Sequence, residues 1–197
     1  MLTLSQVLFT LLCLAVALIA KTKASRPVTG AAEFMVISLC LLSAAIASMG
    51  ELLLDSTGND SGTLQRMLTN LAIYTGAPML ITALIALSRN YPISRPAWGR
   101  WLLGLIALFE FCRRMSYGEQ YTLILALCLI AAAIISVVWF KPNRVRVLIG
   151  ATTLSFTAAI VAYYEASLAL SLLLGCAGVA LLGMSLQQLP DGVTTKD

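Results

Sequence analysis

Apolar residues run along this chain in blocks of span length, parted by short polar stretches, and no period-two alternation runs through the blocks. The blocks lie near 2–20, 31–54, 67–88, 98–115, 120–140, 146–164 and 167–189. A hydrocarbon layer about 30 Å thick needs about 20 helical residues to cross it, so each block is sized for one crossing. Breakers fall between them: Arg26-Pro27, Gly58 and Gly62, Pro92 and Pro96, Gly118, Pro142 and Pro190. Strands are disfavoured, because an open sheet edge cannot face lipid. The pattern predicts an all-α, polytopic transmembrane bundle of seven helices. It forms one domain over 1–189, followed by a short cytoplasmic tail, 190–197.

The fourth block is the shortest, and the basic residues decide whether it crosses. With seven spans and the N-terminus outside, ten of the 13 Lys and Arg residues fall on the inner side. The outer side then holds only Arg66, Arg113 and Arg114. Removing the fourth crossing inverts the later loops and weakens this bias, so the positive-inside rule favours seven. The aromatics agree. Trp98, Trp101 and Trp139 fall at the expected inner interface, and Tyr117, Tyr121, Tyr163 and Tyr164 at the outer one. The first block is read as a span, since its positive cluster, Lys21, Lys23 and Arg26, follows the apolar run. These readings place the chain in the plasma (inner) membrane as a multi-pass protein.

Composition strengthens the membrane reading. Hydrophobic residues make up 59% of the chain and charged residues 11%, with a mean hydropathy of +0.90. A soluble domain carries roughly 25% charged residues. The net charge of +4 follows from topology and from contact with anionic lipid headgroups, so nucleic acid is not an expected partner. The five cysteines all lie inside apolar runs without CxxC spacing, as small buried hydrophobes do. Histidine is absent. That removes imidazole metal sites, Ser–His and Cys–His nucleophile pairs and imidazole proton relays. No metal, cofactor or catalytic residue is expected, and the chain reads as a non-enzyme.

An ungapped overlay sets Leu8–Ala20 on Leu123–Ile135, and at nearly the same offset Ala44, Ala45, Ile46 and Glu51 match Ala158, Ala159, Ile160 and Glu165. Spans one and two then echo spans five and six in one orientation, with the fourth as an inverting linker. This is a three-plus-one-plus-three pseudo-repeat, a plan some transporters use.

Acidic residues gather in the outer half: Glu51, Asp55, Asp60, Glu110, Glu119 and Glu165. An ionisable group in hydrocarbon tends to face the bundle interior and find a partner there. We therefore expect an outward-facing polar pocket lined by Glu51, Glu110, Arg113, Arg114, Tyr164 and Glu165, with Asn70 and Tyr74 adding neutral hydrogen-bonding groups. Glu33, at the inner end of span two, is expected to form a structural ion pair with a nearby Lys or Arg. Pro78 should kink span three near mid-membrane. Ser167, Ser171, Gly175, Val179 and Gly183 recur every fourth residue, as in a close helix-packing seam.

The layout shares its span number with microbial rhodopsins, yet residues 167–189 hold no lysine for a retinal Schiff base. It shares its plan with sugar transporters of the SWEET type, but spans one and two lack the prolines of their first helices. The expected function is binding of a small molecule or lipid in the outward pocket, as a transporter or receptor-like sensor. The alternative is an accessory or assembly subunit of a larger membrane complex. Membrane lipids, a small-molecule ligand and a membrane protein are the partners these readings imply.

Overall fold

The structure, a computed structural model, describes residues 2–25, 30–54, 59–89, 91–115, 117–139, 143–164 and 168–188. Among them it is all-helical, without strands. The elements are α1 (Leu2–Ala24), α2 (Ala31–Leu53), α3 (Asn59–Asn70), a π turn (Leu71–Gly76), α4 (Ala77–Arg89), α5 (Arg95–Arg114), α6 (Gly118–Trp139), α7 (Asn143–Tyr164) and α8 (Leu168–Gln188). Because α3, the π turn and α4 run on without a break, they form one rod, and the described chain folds into seven. Four helical stretches are long and apolar enough to cross a membrane: Thr3–Ala24, Ala31–Leu53, Asp60–Arg89 and Leu170–Gln188. Shorter apolar stretches, Leu123–Ala132 and Val147–Phe156, lie within α6 and α7.

Several boundaries move for local reasons. The third rod begins at Asn59 instead of near 67. Asp60 in its first turn complements the helix dipole, and Gly62 is carried inside the helix without ending it. Pro96 does not separate helices either. It sits in the first turn of α5, where a missing N–H removes no helical bond. Gly118 opens α6.

The rods close into a ring. α1 packs on α2, α2 on the α3–α4 rod, that rod on α6, α6 on α7, α7 on α8, and α8 back on α1. The main neighbours of α5 are the π turn and α6, so it stands outside the ring. Of the seam expected in span seven, Gly175, Val179 and Gly183 are buried, and Ser167 lies outside the described residues. A Cβ on Gly183 would lie 2.8 Å from Val16 Cγ2, and one on Gly175 would lie 3.2 Å from the Phe9 ring. These glycines let α1 approach α8 closely. On the neighbouring face, Gly178 admits the Phe156 ring of α7. Helix-to-helix hydrogen bonds fix the register, with Ser38 Oγ donating to the Ala17 carbonyl at 2.9 Å and Ser155 Oγ to that of Leu174 at 2.6 Å.

Burial is uneven along the rods. The main apolar core joins α1, α2, α4 and α8 and takes in Trp98 and Leu105 of α5. At the end of the bundle carrying Lys21, Arg89 and Arg95, which we call the basic end, Leu87 packs on Val145 and Ile149 of α7, across the ring. Leu87 also abuts the start of α2, where a Cβ on Gly30 would lie 2.9 Å from its Cδ2. The opposite, acidic end carries Glu51, Asp60 and Glu110. There the third rod has no buried residue between Asp60 and Tyr74.

Two expectations about side chains change. Trp98 is buried at 5% exposure and belongs to the core, not to an interfacial belt, whereas Trp101 is 47% exposed. Of the cysteines, Cys13, Cys40 and Cys176 are buried, but Cys128 is exposed on the outer face of α6 and Cys112 is intermediate.

Candidate functional site

Pro78 and the π turn give the third rod its most unusual geometry. Proline lacks an N–H, and in a regular helix its ring collides with the carbonyl four residues earlier, here that of Tyr74. The preceding turn widens to i→i+5 bonding, with the Ala77 N–H donating to the Ala72 carbonyl. Widening by one residue shifts the Tyr74 carbonyl out of the ring's way. The expected kink is thus resolved as a single π turn, a feature often found at functional sites. Gly76 brings this turn against α2, where an added Cβ would lie 3.2 Å from Ser43 Oγ. Thr82 Oγ1 donates to the Pro78 carbonyl at 2.8 Å and occupies it one turn later.

The turn aims Tyr74 at α5 and α6. Its ring stacks on Phe109, with centroids 4.2 Å apart and planes 19° apart. Tyr121 of α6 completes the cluster, 5.8 Å from Tyr74 and 6.2 Å from Phe109. The Tyr121 hydroxyl is buried and has no hydrogen-bond partner among the described residues. Asn70 is half-buried at the last position of α3, where the π turn begins.

The carboxylates fall in three separate places. Gln6 Nε2 of α1 donates to Glu51 Oε2 at 3.3 Å. The Gln6 carbonyl accepts from Thr10 Oγ1 at 2.9 Å and from Ser48 Oγ at 3.5 Å. Cys176 Sγ faces the Ser5 carbonyl at 3.8 Å, so a polar seam joins α1, α2 and α8 below the acidic end.

Glu110 keeps to its own helix. Its Oε1 accepts from Arg113 Nη2 at 2.7 Å and its Oε2 from Arg113 Nε at 3.0 Å. Arg114 Nε adds a contact at 3.3 Å, and all three side chains are partly or largely exposed. These are the i+3 and i+4 partners that helix spacing dictates. Glu110 and Glu51 therefore have their partners in different parts of the bundle. Glu165 and Asp55 lie outside the described residues, as do the side chain of Tyr164 and the tail 190–197.

Glu33 is the one buried charged side chain among the described residues, 2% exposed. Its Oε1 accepts the Ile93 backbone N–H at 2.8 Å. No Lys or Arg among the described residues pairs with it, the side chains of Arg26, Lys141, Arg144 and Arg146 lie outside them, and what the structure shows is a clasp on the α4–α5 connection. Lys23 instead lies over the Phe34 ring, 5.9 Å from its centroid. Glu33 and Glu51 stand on one face of α2, about five turns apart at about 3.6 residues per turn.

An apolar groove of ≈ 360 Å³ opens between α1 and α2, lined by Val7, Thr10, Leu11, Leu14, Met49, Leu52 and Leu53. None of the candidate polar residues lines it. Among the described residues, no group of three or more His, Cys, Asp or Glu could hold a metal.

Sequence reasoning missed Gln6, Phe109 and the partnership of Tyr74 with Tyr121. Gln6 had a usable signal, as an amide inside an otherwise apolar span. Phe109 had none, since an aromatic residue in an apolar helix is ordinary. The chain matches no protein family, no curated protein and no solved structure.

Proposed function

We propose that this chain spans the membrane seven times, with its N-terminus outside and its C-terminus in the cytoplasm, and binds a small molecule or lipid in a polar pocket open to the outer face. It acts as a transporter or receptor-like sensor. The observation that carries this reading is the difference between the two ends of the ring. Leu87 reaches across the basic end to Val145 and Ile149, while the third rod has no buried residue from Asp60 to Tyr74 at the acidic end. A bundle sealed at one end and loosely packed at the other is what an outward-facing binding protein needs.

Three further features support it. α5, α6 and α7 have 20, 22 and 22 residues, enough to cross a layer of about 30 Å at about 1.5 Å per residue. The basic end holds the residues that the positive-inside rule puts in the cytoplasm. Finally, the ring order maps onto itself when spans one, two and three are exchanged with spans five, six and seven, as the proposed pseudo-repeat requires. Glu51, held by Gln6 near the open end, is the residue we assign to ligand contact.

Native mass spectrometry of the protein extracted gently from its own membrane tests the proposal. The expected result is a bound small molecule or defined lipid that is lost on Glu51→Gln. A stoichiometric protein partner without such a ligand would overturn the reading in favour of an accessory or assembly subunit.

A further inference from the structure

We propose that the π turn Leu71–Gly76 is the hinge of a lid, and that α3 is the lid that closes the acidic end of the bundle. The inference rests on the outward-facing reading given above. It starts from where burial begins in the third rod. In the last two residues of the hinge, Thr75 and Gly76, and below it at Pro78, Met79, Ala83, Leu84 and Ala86, the rod is buried. Above it, Asp60 to Tyr74 contribute no buried residue, although the same rod continues. The change falls at the π turn, so the rod has an anchored lower half and a weakly held upper half.

The anchor is specific. Gly76 lies against Ser43 of α2, and Leu87 at the far end locks the rod to α2 and α7. The upper arm is held differently. Tyr74 stacks on Phe109 and approaches Tyr121, both on rods that are lightly packed themselves. The buried Tyr121 hydroxyl has no partner among the described residues, so this contact leaves a polar group unsatisfied and is not a deep minimum.

A π turn also supplies the motion. It holds one residue more than an α turn, so converting it passes one residue through the helical screw. That rotates the arm by about 100° and moves it by about 1.5 Å along its axis. Such a rotation takes Tyr74 off Phe109 and changes the α3 face turned toward α2, where Leu68 now meets Gly50. Pro78, fixed below the hinge, denies the regular register its hydrogen bond to the Tyr74 carbonyl, which offsets that register's usual advantage and keeps the two close in energy.

The test is a distance distribution by double electron–electron resonance in lipid nanodiscs. Spin labels go on Leu4→Cys of α1 and Gln65→Cys of α3, in a chain whose five native cysteines are replaced by alanine. The lid predicts two resolved distance populations. Deleting Ile73 removes the extra residue while leaving both flanking arms on their present faces, and should leave one population. Pro78→Ala, which restores the missing N–H, should shift the balance toward the other, rotated population and serves if the deletion does not fold. One population in the parent, or two that persist in both variants, overturns the hinge. The outcome separates from the pocket reading, because Glu51→Gln changes ligand retention without altering these distances. Two populations in a protein that retains no ligand would sink the pocket and leave the hinge standing.

Discussion

The α1–α8 seam and the α5 arm are built from similar apolar helices, yet glycine does opposite work in them. In α8, Gly175, Gly178 and Gly183 each have a side chain of another helix where a Cβ would go. In α5, Gly99 and Gly104 have nothing within 4 Å. The seam is held by close packing and by the Cys176 thiol facing the Ser5 carbonyl, and hydroxyl-to-carbonyl bonds tie α2 to α1 and α7 to α8. The arm meets the ring through Trp98, Leu105 and the Phe109 stack, and its charged pairs are local to its own end. Lipid is as apolar as leucine, so burial alone does not drive helices together in a membrane. Close approach does, and of these two regions the seam alone has it at its glycines. The rigid part of the molecule therefore takes in α1, α2, α4, α7 and α8, while α5 is lightly held beside the ring.

The contrast can be broken at the seam first. Gly183→Leu should destabilise the fold by about 3 kcal/mol, because overpacking against Val16 forces two helices apart. Thermal unfolding in nanodiscs reads it, and an unchanged midpoint would mean that α1 and α8 do not pack as described. Next comes Glu33→Ala, which leaves the Ile93 N–H without its acceptor and should cost about 2 kcal/mol. Glu33→Gln keeps an acceptor and should lose much less in the same measurement, and equal losses would deny the clasp its role. In the arm, Gly104→Ala should stabilise by about 0.5 kcal/mol through helix propensity alone. A clear loss there would show that α5 is covered by something the isolated chain lacks, as the accessory-subunit alternative implies. The smallest effect belongs to Glu110→Gln. Its carboxylate and both arginines are exposed, so the unfolding midpoint should not move measurably. A large drop would place Glu110 in the pocket after all.

The same contrast explains what was legible in the sequence. Helix number and most boundaries could be read because block length and apolarity are local properties. The seam could be read too, since small residues at every fourth position mean close approach wherever they lie. Pro78 implies a distortion but not its form, because a kink and a π turn both accommodate the missing N–H. The bond from Glu33 to the Ile93 amide could not be read, since a backbone amide sixty residues away leaves no trace in composition. The residues expected to line an outer pocket divide. Glu51 kept a polar partner across helices, whereas Glu110, Arg113 and Arg114 satisfied one another along their own helix. Spacing alone favoured both outcomes for such residues.

The central claim is that the bundle is open at its acidic, outer end and sealed at its basic end by Leu87. Single cysteines at Glu51 and Ile149, each in a cysteine-free chain in sealed vesicles of known orientation, test it with a membrane-impermeant maleimide. The account predicts that Glu51→Cys labels from outside only and that Ile149→Cys labels from neither side until Leu87→Ala exposes it to the inside. Labelling of Ile149→Cys from the inside with Leu87 intact, or of Glu51→Cys from the inside alone, would contradict it.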